Sequence, residues 1–326
     1  MLPVINSTFS PDHLASFVQQ QYHLGHEASC ALLKTGVNDS FLITDKDVNY
    51  VFRVYSLNWR TRQEILEELR LLDLLHTNCI PVSYPIVNIH GEYVLQLEAP
   101  EGTRFGVLFS FAKGEKMLNF PAELHFQAGE IMAKMHLLTD GLQLKRVSYS
   151  PEVLLQDSFE QLKRFLPADT AEMDFMVSTR KYLLNEYEKF DGSKLRKGAV
   201  HMDIWFDNMG IDKEAGITLF DFDFCGNGWL CYDVAYYILQ LNSTEKDDAE
   251  CKLKTEAFLN GYASVMPLTA EEKRIIPHLG VALYFFYLGI QCQRFDNWSN
   301  TFLNEMYLKR FINLLVKRYF EKNGLG

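Results

Sequence analysis

The spacing of apolar and polar positions divides the chain into a strand-rich part followed by a helical one. Residues 11–22 set Leu14, Phe17 and Val18 at helical intervals behind Asp12, a cap candidate, which predicts a short amphipathic helix with a packing role. From Ala31 the apolar runs shorten and turn residues interrupt them: Ala31-Leu32-Leu33, Gly36-Val37-Asn38-Asp39, Ser40 to Thr44, Asp45-Lys46-Asp47, then Tyr50 to Tyr55. That rhythm predicts an antiparallel meander of about three strands. Thr61-x-x-Glu64 is a capping box, and Ile65, Leu66, Leu69, Leu72 and Leu75 give the helix behind it an apolar face. After Cys79, Pro81 and Pro85 keep the backbone extended, and further strands are expected at Tyr93–Leu97 and Phe105–Phe111.

Past Lys113-Gly114 the period becomes helical. Helices are expected over Pro121–Thr139, Ser158–Leu166, ended by Pro167, and Thr170–Phe190. Another starts at Thr269 to Arg274, and Leu283-Tyr284-Phe285-Phe286-Tyr287-Leu288 continues an aromatic-rich one. Glu305–Tyr319 reads as a last amphipathic helix with Lys309, Arg310, Lys317 and Arg318 on its solvated face. At 326 residues with 48% hydrophobic content, the chain exceeds what a single core supports. An α+β protein is expected, with a β-rich lobe over 1–112 holding one main helix and a mostly helical lobe over 113–326.

Composition narrows the class of partner. The net charge of −10 argues against nucleic acid and against an anionic membrane surface, and leaves amine-bearing substrates open. Cys30, Cys79, Cys225, Cys231, Cys251 and Cys292 lack paired or metal-ligand spacing, which predicts mostly buried, reduced thiols of a cytoplasmic protein. Met1 to Ser10 has neither a basic nor an apolar leader region, and the apolar stretch near Val281–Ile290 is short of a membrane span. A soluble, unprocessed chain is expected.

The chemistry concentrates in His201-Met202-Asp203-Ile204-Trp205-Phe206-Asp207-Asn208 and, after a short hairpin, Leu219-Phe220-Asp221-Phe222-Asp223. Apolar Ala199-Val200 leads into the first segment, so the motif lies on a loop leaving a buried segment. Asp203 can orient or deprotonate a substrate hydroxyl, and Asn208 can bind a metal through its side-chain oxygen. Met209–Ile211, the turn Lys213-Glu214-Ala215-Gly216 and Ile217–Phe220 form a hairpin that returns Asp221 to Asn208. One carboxylate and one carboxamide, completed by phosphate oxygens and water, suit Mg²⁺. This spacing points to phosphoryl transfer from ATP. The plainer alternative makes these aspartates loop acids, but Asp221 lies among Phe220, Phe222 and Phe224, where a carboxylate without a cation is costly.

In a nucleotide kinase, Gly36 and Asn38 would lie over the phosphates; an ordinary hairpin turn is the alternative. Arg53, in Phe52-Arg53-Val54-Tyr55, stands where kinases carry a phosphate-contacting lysine, or else solvates a sheet edge. Glu64, Glu67 and Glu68 are candidates to pair with it, or are surface charge. His136 on an apolar helix face reads as a satisfied core histidine.

Residues 201–208 and 219–235 resemble the catalytic and metal-binding segments of the aminoglycoside phosphotransferase and choline kinase superfamily, relatives of the protein kinases. Asp233-Val234-Ala235 is similar to the Asp-Leu-Ala that closes the metal segment there, and Gly129 through His136 to the helix before the catalytic loop. The resemblance spans roughly residues 30–300 and implies a bilobal protein-kinase-like fold. It makes Asp203 the catalytic base with His201 supporting the loop, Asn208 and Asp221 the Mg²⁺ ligands, and Arg53 and Glu68 the phosphate-contacting pair. Met202 replaces the usual small residue, and Arg53 the usual lysine. Asp207-Asn208, Cys225-Gly226-Asn227 and Tyr232-Asp233 resemble homoserine kinases. Asp221-x-Asp223, Gln63 to Glu68, and Tyr287-Leu288 before Arg294-Phe295 resemble a bacterial stress-response serine/threonine kinase. In this superfamily the C-terminal helices line the acceptor pocket, which makes the aromatic run, Arg294, Asp296 and Trp298 candidates to clamp an amino alcohol, with core packing the alternative for each aromatic. The favoured expectation is an ATP- and Mg²⁺-dependent kinase of a small-molecule hydroxyl; a protein serine/threonine kinase and a nucleotide-binding pseudokinase are the alternatives.

Overall fold

In the computed structural model, which describes residues 2, 4–214, 216–295 and 302–326, the opening helix α1 (Pro11–Tyr22) buries Leu14 and Val18. Three antiparallel strands follow: Ser29–Lys34 (β1), Asp39–Asp45 (β2) and Val48–Val54 (β3). After the helix Arg62–Thr77 (α2), the strands Pro85–Ile86 (β4), Leu95–Ala99 (β5) and Gly102–Ser110 (β6) complete one antiparallel sheet in the order β1-β2-β3-β6-β4, with β5 on β6. The β5–β6 ladder runs out to Ala99 opposite Gly102, so both strands extend past their apolar runs into polar sequence. Alternation on β2 turns Phe41 and Ile43 into a core with Leu14, Val18, Phe52, Val54, Leu95, Leu97 and Leu108. The capping box forms: Glu64 N–H donates to Thr61 Oγ1 at 3.2 Å, and Thr61 N–H to Glu64 Oε2 at 2.9 Å.

By its internal contacts the chain divides into two compact units. One contains the residues up to Lys113 and the short piece Thr218–Phe220, where Leu219 exchanges backbone hydrogen bonds with Pro81 and Ser83. The other holds Gly114–Ile217, Asp221–Phe295 and the C-terminal residues.

The second unit is mostly helical: Ala122–Thr139 (α3), Ser158–Leu162 (α4), Ala171–Tyr187 (α5), Cys231–Thr244 (α6), Asp248–Val265 (α7), Ala270–Gln293 (α8), Glu305–Phe311 (α9) and Arg318–Lys322 (α10). Wide π-helical stretches, Glu152–Asp157 and Ile312–Lys317, lead into α4 and join α9 to α10. Two glycines let α3 and α7 touch backbone to backbone. A Cβ on Gly129 would lie 2.1 Å from the Phe258 carbonyl oxygen, and one on Gly261 1.9 Å from that of Phe126. The strands Lys197–Val200 (β7) and Gly226–Trp229 (β10) pair antiparallel, and Met209–Asp212 (β8) with Gly216–Leu219 (β9) makes a separate hairpin.

One expectation needs correction. The apolar stretch near Val281–Ile290 belongs to α8, a 24-residue helix that by length and composition alone could cross a membrane. The helix starts at a capping box, Thr269 with Glu272, and continues through Pro277; 78% of its apolar window is buried inside the protein, so it is a core helix. The thiols are mostly buried, as expected: Cys225, Cys231, Cys251 and Cys292 are buried, Cys30 is half-buried, and Cys79, in a left-handed conformation after α2, is exposed; none forms a disulfide.

Candidate active site

Buried β7 delivers the chain to His201, and a carboxylate at the start of α6 catches it there. Asp233, fully buried, accepts the backbone N–H of His201 at 2.9 Å on Oδ2 and that of Met202 at 2.7 Å on Oδ1. His136 Nε2 lies 3.1 Å from Asp233 Oδ2; a carboxylate only accepts, so the imidazole donates. The other ring nitrogen of His136 meets the Tyr262 hydroxyl at 2.8 Å. Helices α3, α6 and α7 therefore fix one loop through a single buried acid. These bonds hold Met202 at φ 71°, a left-handed conformation unusual for a side chain of this size. Tyr287, from α8, adds a hydrogen bond to the Met202 carbonyl.

Asp203 follows, half-buried. Its backbone N–H donates to His201 Nδ1 at 3.1 Å, which places the proton of the neutral ring on Nε2. His201 is fully buried and packs on Phe222 at 4.1 Å between ring centroids, so it acts on the site through the Asp203 backbone. Asn208 Nδ2 donates to the Asp203 carbonyl at 2.9 Å and to its Oδ2 at 2.7 Å. Both partners are acceptors, so the carboxamide nitrogen must face them and its oxygen points away. The Tyr236 hydroxyl donates to the other carboxylate oxygen, Oδ1. Burial, and then the Asp203 charge, push the Tyr236 phenol well above its ordinary pKa, so it remains a donor. Lys116 pairs with Asp207 at 2.9 Å beside this loop.

A hairpin of two equal strands brings its ends together, Asn208 before β8 and Asp221 after β9. Asp221 is half-buried with φ 64°, again left-handed and not glycine. The residues behind it are held by the segment 144–149: Arg146 donates to the Asp223 carbonyl, Tyr149 to that of Phe224 at 2.5 Å, and Leu144 N–H to Asn227 Oδ1 at 2.8 Å. Among the described residues no group of three or more His, Cys, Asp or Glu could hold a metal ion. A carboxamide oxygen and a carboxylate are nevertheless hard donors that fit Mg²⁺ when phosphate oxygens and water supply the rest.

In the first unit, Arg53 lies on a central strand and is 7% exposed, which rules out the solvated-edge reading. Of the three glutamates considered, Glu68 meets it: Arg53 Nη1 donates to Glu68 Oε1 at 3.0 Å, and the Tyr55 hydroxyl to Oε2 at 3.1 Å. The guanidinium also stands 5.1 Å from the centre of the Phe109 ring. Asn38 Oδ1 accepts the Ser56 N–H at 3.2 Å, so this side chain fixes the turn. A Cβ on Gly36 would meet only the Asn38 carbonyl oxygen, at 4.0 Å, which leaves that backbone open to approach.

The aromatic run of α8 divides. Tyr284, Phe285 and Phe286 are core residues, whereas Tyr287 reaches the loop at Met202. Arg294 is buried; Asp296 and Trp298 lie outside the described residues. Tyr236 and Arg146 carry no expectation from the sequence; Tyr287 and Asn227 stand in its motifs, but as supports of these loops they emerge only from the structure. A signal existed for the first: Tyr236 is three residues after Asp233, on the same face of α6.

The chain is similar to known proteins over most of its length. The model described as "Phosphotransferase enzyme family" matches residues 32–268. A homoserine kinase from Agrobacterium fabrum is 28% identical over 94% of this chain and 91% of its own. The microcompartment-associated aminopropanol kinase has a similar fold, with TM-score 0.78 and 21% identity over 97% of this chain and 99% of its own. Amicoumacin kinase, solved in complex with AMP-PNP, Ca²⁺ and Ami, gives 0.77 and 20% over 96% and 94%.

Proposed function

This chain belongs to the phosphotransferase enzyme family and is a kinase; from that premise we propose that it transfers the γ-phosphoryl group of ATP to the hydroxyl of a small amino alcohol or hydroxy amino acid. The observation that carries the reading is the Asp203 carboxylate, its two oxygens met by Asn208 Nδ2 and the Tyr236 hydroxyl on a loop pinned by Asp233. A loop held this firmly suits chemistry that depends on positioning.

In this reading the acceptor oxygen attacks the γ-phosphorus, the bond to the bridging oxygen breaks, and ADP leaves. Asp203 accepts the hydroxyl proton. Asn208 Oδ1 and Asp221 would hold Mg²⁺, which would supply charge neutralisation to the phosphates. Arg53, held by Glu68, and the backbone around Gly36 and Asn38 are the groups of the first unit that would contact the nucleotide phosphates. Homoserine and aminopropanol, the substrates in the relatives' names, set the size and amine character of the acceptor tested first. Free thiols and ATP use fit the cytoplasm.

The test is turnover of Mg-ATP with a panel of homoserine, aminopropanol and aminoglycosides, and with a protein substrate, each compared with Asp203→Asn. Phosphorylation of a small acceptor that disappears in the variant is expected. Equal background in both proteins would refute the reading.

A further inference from the structure

Asp233 and Tyr236 lie one turn apart on α6, so the helix that pins the loop backbone also reaches its carboxylate. The phenol is 2% exposed, and its ring packs against Tyr287 with centroids 5.1 Å apart. Tyr287 in turn holds the Met202 carbonyl. Two tyrosines from two helices thus fix adjacent residues of the loop, one at the backbone and one at the acid. The terminal torsion of an aspartate is otherwise broad, and a carboxylate that rotates spends part of its time turned away from the acceptor.

We propose that Tyr236, backed by Tyr287, is the positioning residue of Asp203: its hydroxyl on Oδ1, with Asn208 on Oδ2, locks the carboxylate in the orientation that receives the acceptor proton. This rests on the proposed function and extends it. The hydroxyl acts through Asp203 and not on the nucleotide, so its loss affects the reaction step and leaves ATP binding intact.

The experiment measures ATP affinity by calorimetry and kcat with the best acceptor for the wild-type protein, Asp203→Asn, Tyr236→Phe and the double variant, with Tyr237→Phe as control. Tyr237 is also on α6 but bonds His125 at 2.8 Å. Tyr236→Phe keeps the ring and is expected to lower kcat roughly tenfold with ATP affinity unchanged. In the Asp203→Asn background it should cost nothing further, because there is no base left to orient. Wild-type kcat in Tyr236→Phe while Asp203→Asn is dead would overturn this proposal alone. Early melting with loss of ATP binding would mark the hydroxyl as merely structural and overturn it too. Full activity in Asp203→Asn, or no turnover by the wild-type protein, would overturn the reading of the site and this inference with it.

Discussion

Glu68 in the first unit and Asp203 in the second are built alike. Each carboxylate receives a tyrosine hydroxyl on one oxygen and a side-chain N–H on the other. They differ in the nitrogen donor and in burial. Glu68 is fully buried and faces the guanidinium of Arg53; Asp203 is half-buried and faces a neutral carboxamide. A full counter-charge in a buried site makes an acid a fixed structural element, whose loss strands the cation. Neutral donors orient an acid and leave it the capacity to take a proton. Similar hydrogen bonding therefore yields a brace in one place and a candidate base in the other.

The sharpest way to break the comparison is to neutralise both acids. Asp203→Asn should lower kcat by roughly 10³-fold, within the range for loss of a general base, with thermal stability unchanged. Glu68→Leu should do the opposite in kind, costing about 3–5 kcal/mol in urea unfolding because Arg53 is left buried without its partner. Adding Arg53→Met should recover most of that stability without recovering ATP binding. If Glu68→Leu unfolds like the wild-type protein, the pair is not a brace.

Asp233→Asn probes the support beneath Asp203. Asp233 accepts two backbone N–H groups and faces an imidazole N–H, and an amide nitrogen on either oxygen site would oppose a donor. Roughly 2 kcal/mol of stability should be lost, the penalty of an unsatisfied buried donor, together with a fall in kcat. The smallest effect should come from Tyr55→Phe, about 1 kcal/mol for one buried hydrogen bond, with kcat unchanged. Compared with Tyr236→Phe, that pair of conservative changes separates brace from base by readout: stability at Tyr55, rate at Tyr236.

The strands β1 to β3, the capped helix α2 and the helical character after Lys113 were legible because each depends on a short-range period or a cap. Helices α6 and α7 escaped prediction, as did the full length of α8. In a buried helix apolar residues occupy several faces, and the period that marks an amphipathic helix fades. Arg53 shows the same limit for a single residue. A lone cation among apolar neighbours is compatible with an edge or with a buried pair, and only strand order selects between them.

For the site, the chain by itself determined the inventory: Asp203 and Asn208 five residues apart, Asp221 across a hairpin, and the match to a phosphotransferase family. Those features are local, so spacing alone brings them together. The tertiary structure decided which glutamate meets Arg53, which way the Asn208 carboxamide faces, and that Asp233, His136, Tyr236 and Tyr287 hold the loop from three helices. Hydrogen bonds between residues about 30 to 100 positions apart leave no period in a sequence; they exist only once α3, α6, α7 and α8 have packed.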